Sequence, residues 1–101
     1  MNFPTDFLAY TGVQNPKDLE ILAAVAVSGG VLTFLATETE TVHFLFDAPD
    51  YESWGTSVFK KHELTCEIID ATIEAVLDDY DQQNQKILTA LKQSSPAWKP
   101  H

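Results

Sequence analysis

A chain of 101 residues that is 45% hydrophobic and 11% aromatic is sized for one core and is too apolar for a disordered segment. Fifteen acids against six lysines, with no arginine, give a formal net charge of −9; this argues against direct binding of nucleic acid or of an anionic membrane, since both would repel the chain and the side chain that grips phosphate bidentately is missing. No apolar run approaches the roughly 18 to 20 residues that cross a bilayer, the N-terminus lacks the layout of a secretory signal, and Cys66 alone permits no internal disulfide, so the expectation is a soluble cytoplasmic protein.

Along the chain, Pro4-Thr5-Asp6 ahead of Phe7, Leu8 and Tyr10, with Gly12 behind, suits a short capped helix or an ordered arm. Asn15-Pro16-Lys17-Asp18 is a stronger start signal, with Asn15 able to cap, Pro16 suited to the first helical position and Asp18 beside the positive end of the dipole. It predicts a helix from Pro16 to about Val27, apolar on most sides and ended by Gly29 or Gly30. The competing reading makes Ala23 to Val27 a strand that turns at Ser28-Gly29-Gly30, in keeping with its β-branched content.

Val31 to Thr37 and Thr41 to Asp47 read as an antiparallel hairpin around Glu38-Thr39-Glu40. Leu32, Phe34 and Ala36 alternate with Val31, Thr33 and Leu35, and Val42, Phe44 and Phe46 with His43 and Leu45. Both faces are apolar enough to need cover. Ala48-Pro49-Asp50-Tyr51 ends the second strand, and Trp54-Gly55 is expected to close a loop or a single helical turn.

From Ser57 onward the apolar residues keep a period near 3.6 through Ile68, Ile69, Ile73, Val76, Leu77, Tyr80, Ile87, Leu88 and Leu91. Unbroken to Gln93, this helix would be about 55 Å long, too long for a compact domain of this size. Either the polar stretch of residues 81–85 breaks it, or its far half projects and packs on another molecule. The fold expected is α+β: residues 1–93 form one domain in which a hairpin or small sheet packs against an N-terminal helix and a long amphipathic C-terminal helix. Residues 94–101 form a tail.

The last helix carries the feature that bears on function. Glu63, Glu67, Asp70, Glu74, Asp78 and Asp81 recur at intervals of 4, 3, 4, 4 and 3, which confines them to a sector of about 80°, roughly opposite Ile68, Ile69, Thr72 and Val76. From His62 to Gln85 there are seven acids and no base, so neighbours three and four apart repel by a few tenths of a kcal/mol per pair. A solvated face that maintains solubility is the ordinary reading of such a pattern. A docking face for a basic surface is the sharper one.

Other constellations are weaker. His62 and Cys66 stand four apart, with Glu63 or Glu67 as conceivable third ligands, but a structural zinc needs three or four donors; a half-buried histidine and an inert thiol are the plainer reading, and no metal is expected. His43 lacks a nucleophile placed by any local signature, so a hydrogen-bonded strand histidine is the plainer reading there. Gly29-Gly30 lacks the lysine and glycine spacing of a phosphate loop. Tyr51, Trp54 and Trp98 read as loop anchors or as contact residues.

No catalytic site and no cofactor are expected. The function anticipated is a non-catalytic acidic protein that inhibits or modulates a basic partner, one that itself binds nucleic acid, as an immunity protein or a phage antagonist does; the analogy is one of size and charge. The alternative is a structural or assembly protein that dimerises through Ile73, Tyr80, Ile87 and Leu91 of the C-terminal helix.

Overall fold

The computed structural model describes residues 3–27, 29–49 and 51–94, with side chains described through residue 83. Helix α1 (Thr5–Thr11) is followed by strands β1 (Glu20–Val27), β2 (Gly30–Ala36), β3 (Val42–Ala48) and β4 (Tyr51–Val58) and by helix α2 (Cys66–Ser94). The strands form one antiparallel sheet in the order β1-β2-β3-β4. The class is α+β, as the sequence indicates.

The N-terminal helix is α1 rather than the segment from Pro16 to Val27. Gly12, at φ 75, closes α1 by directing its N–H to the carbonyls of Leu8 and Ala9, a left-handed cap that glycine adopts without strain. The signal at Asn15-Pro16 operates, since Asn15 Oδ1 accepts from Lys17 N at 3.0 Å, but it starts only a 3-10 turn over Pro16–Asp18. From Glu20 the chain is strand. This is the competing strand reading of Ala23 to Val27, in which Ala23 and Val25 pair with Phe34 and Leu32 and β-branched content suits the pleated surface. Gly30 then lets the Phe46 ring close over the hairpin, for a Cβ there would stand 2.7 Å from Phe46 Cζ and 2.8 Å from the Asp47 carbonyl oxygen.

Strand β4 occupies the stretch expected to be a loop or a helical turn. Gly55 resembles a breaker in the sequence, yet it sits opposite Phe44, whose ring lies 2.8 Å from where a glycine Cβ would be. A strand glycine that leaves space for a cross-strand ring is one of the few places where glycine suits a sheet. The C-terminal helix accordingly starts later than Ser57. Lys61–Glu63 form a 3-10 turn, and Thr65 Oγ1 then accepts from Ile68 N at 3.3 Å to cap α2.

Each face of the sheet packs an apolar cluster. On one, Leu32, Phe34, Ala36, Val42, Phe46 and Ala48 pack with Val76 and with the partly buried Leu64, Ile69, Ile73 and Tyr80. On the other, Leu35 and Leu45 pack with Phe7, Leu19 and Trp54. Residues 59–65 carry the chain from β4 at one edge back towards β1 at the other, where Lys61 Nζ meets Glu20 at 2.7 Å. Helix α2 then crosses to the opposite end of the sheet, where Tyr80 stacks against Tyr51 and Phe46 at centroid separations of 5.1 and 5.4 Å. Burying a side chain such as Val76 fully is worth about 1.5–3 kcal/mol, and this face fixes the rotation of α2 about its axis.

Ile73 and Tyr80, two of the residues anticipated to pair copies of the chain, thus pack on the sheet of their own chain. The side chains of Ile87, Leu88 and Leu91 lie outside those described, and Trp98 in the tail lies outside the described residues.

Candidate partner-binding surface

All six acids of the stripe are exposed, but they do not share one helix. Glu63 lies in the 3-10 turn, because the helical phase begins only at Cys66. Glu67, Asp70, Glu74, Asp78 and Asp81 are on α2 and keep their sector of about 80°. Among the described residues the one ion pair is Lys61 with Glu20, so no described lysine neutralises the five. Asp78 Oδ2 accepts a hydrogen bond from Gln82 Nε2 at 3.3 Å, a contact that leaves its charge intact.

The stripe differs from the expected arrangement in its direction. The residues seated on the sheet are Ile69, Ile73, Val76 and Tyr80, whose mean direction lies about 130° from that of the acids at 100° per residue. The carboxylates therefore run along a flank of α2 rather than along its crest. This places them next to apolar side chains: Glu74, Asp78 and Asp81 share an open groove of about 510 Å³ with Ile73, Ala75 and Leu77. Such a groove offers apolar contact to the aliphatic stem of a lysine or arginine and carboxylates to its head.

His43 belongs to a separate, internal arrangement. It is 6% exposed on β3; its Nδ1 lies 3.2 Å from Thr56 Oγ1, which in turn lies 2.9 Å from the Tyr10 hydroxyl. The Tyr10 ring meets the imidazole edge-on at 5.5 Å between centroids. Burial holds the His43 pKa below its ordinary 6.5, with a hydrogen bond to the Gly55 backbone acting the other way. The chain Tyr10–Thr56–His43 ties α1 to the sheet. Sequence reasoning missed it because its middle member is on β4, the strand that was not foreseen.

His62 lies in the 3-10 turn and Cys66 opens α2, so their four-residue interval is not one turn of a helix. Among the described residues no three His, Cys, Asp or Glu side chains gather in a way that could hold a metal ion. No described helix is long and apolar enough to cross a membrane. Compared with protein-family models, curated proteins and solved structures, the chain matches none.

Proposed function

We propose that this chain is a non-catalytic binding protein of the cytoplasm, whose acidic flank of α2 docks on a basic protein and inhibits or modulates it. The observation that carries the reading is the pairing of exposed carboxylates at Glu74, Asp78 and Asp81 with the apolar Ile73 and Leu77 in one groove. A face serving solubility alone needs the charges but has no use for apolar surface beside them. A row of carboxylates at the separations of helix neighbours, about 5–6 Å, also suits a cationic surface built to follow a phosphate backbone, so the partner expected is a nucleic-acid-binding protein. The net charge of −9 would speed such an encounter at low ionic strength.

The test is affinity capture from the native cell with the whole chain as bait, at low and at high salt, beside a variant with Glu74→Gln, Asp78→Asn and Asp81→Asn, the three carboxylates of the groove. A basic protein retained at low salt, released at high salt and lost by the variant supports the reading. Retention of the same proteins by the variant overturns it.

A further inference from the structure

We propose that two copies of this chain pair antiparallel through the outer edge of β1, joining their sheets into one of eight strands. β1 is an edge strand, bonded to β2 on one side only. Alternate residues of such a strand direct their N–H and C=O groups away from the sheet, and among the described residues no other backbone segment bonds to them. Sheets usually protect an open edge with charge, proline, a bulge or a covering element. β4, the other edge, carries Glu52 and lies beside α2, to which its Tyr51 is joined by Tyr80. β1 has a bulge near Leu22, but its regular part, Ala23 to Val27, has neither charge nor proline.

Charge selects the occupant. Two molecules of net charge −9 repel wherever their carboxylates approach, so self-association needs a surface free of them. The stretch Ile21–Val27 is uncharged, and the acid that precedes it, Glu20, is already paired with Lys61 at 2.7 Å. A basic partner would gain no electrostatic attraction from this edge, whereas a second copy incurs no repulsion along it. The strand is also self-complementary: a two-fold axis at Val25 sets Val25 against Val25 on the α2 side of the sheet, and Ala24 against Ala26 on the other. Ala24 and Ala26 are exposed in the single chain, as are their neighbours Ile21 at 52% and Val31 at 41%, so small side chains and unused apolar surface meet at the junction. The arrangement is isologous and closes at two copies.

The experiment is the mass in solution by sedimentation and light scattering, from micromolar to several hundred micromolar protein, at low and high salt. The expected result is a species of twice the 11.2 kDa chain mass that grows with concentration and with salt, because salt screens the mutual repulsion; binding of a basic partner has the opposite salt dependence. In a variant with Ala24→Lys and Ala26→Lys, association should fall more than tenfold while circular dichroism and melting stay those of a folded monomer. Both substitutions reduce the net negative charge, so general electrostatics would favour association and the loss reads the edge itself. Should the variant fail to fold, hydrogen exchange on the unaltered chain decides: the outward-directed, alternate amides of residues 23–27 gain protection as concentration rises. A mass of one chain at every concentration, a dimer that survives the lysines with the fold intact, or β1 amides whose exchange ignores concentration would each overturn the proposal.

Discussion

Replacing Asp70 by asparagine and Glu74 by glutamine should make the protein more stable and, at the same time, weaken its hold on a basic partner. Along α2 the acids are neighbours at 67–70, 70–74, 74–78 and 78–81, and the double change removes three of these four like-charge intervals. Each is worth about 0.2–0.5 kcal/mol at low salt, so the gain should be about 1 kcal/mol, or about 4–8 °C in melting temperature for a domain of this size. Glu67 is left in place because it lies in the first turn of α2, where a negative charge is favoured by the helix dipole. The assay is urea denaturation of parent and variant at about 0.01 M and about 1 M salt, between which the Debye length shrinks from about 30 Å to about 3 Å. The gain should be present at the lower salt and nearly absent at the higher. A variant no more stable than its parent at low salt, or a gain that persists at high salt, would refute the claim that these carboxylates repel one another across an unneutralised flank.

Three further outcomes are expected. The folded-state pKa of His43 lies below the ordinary 6.5 because the ring is buried. The unfolded chain therefore takes up the proton more readily as pH falls, so His43 leaves stability untouched above about 6.5 and lowers it progressively below that value; an NMR titration placing the ring at or above 6.5 would contradict this. Gly30→Ala should destabilise by about 1–3 kcal/mol, and by more than Gly55→Ala, because its Cβ would meet the backbone oxygen of Asp47 as well as Phe46, whereas at Gly55 only the Phe44 ring must shift; equal urea midpoints for the two variants would count against the hairpin packing. Thr65→Ala removes the acceptor for Ile68 N and should cost about 1 kcal/mol, measurable in the same denaturation assay, whereas no loss would mean that α2 does not begin at Cys66.

Much of the architecture was legible in the residues. The β2–β3 hairpin follows from alternating apolar positions whose two faces both demanded cover, and α2 from a 3.6-residue period, because each pattern is a local repeat matched to one backbone geometry. Between the two readings of the segment up to Val27, the structure has the strand for Ala23 to Val27 and not the helix from Pro16: the start signal is real but local, and it ends with a 3-10 turn, after which pairing with β2 outweighs helix propensity. Strand β4 was hidden by Trp54-Gly55, since the use of Gly55 depends on a ring contributed by Phe44 from the neighbouring strand.

The amino-acid order alone determined the charge and the clustering of Glu67, Asp70, Glu74, Asp78 and Asp81 in one angular sector, because these are properties of composition and of a fixed rotation per residue. Only the tertiary structure decided which way that sector points, since α2 is turned by the seating of Ile69, Ile73, Val76 and Tyr80 on the sheet. It alone removed Glu63 from the helix. It also left β1 at an open edge, because strand order depends on contacts between residues distant in the chain, which no local pattern encodes.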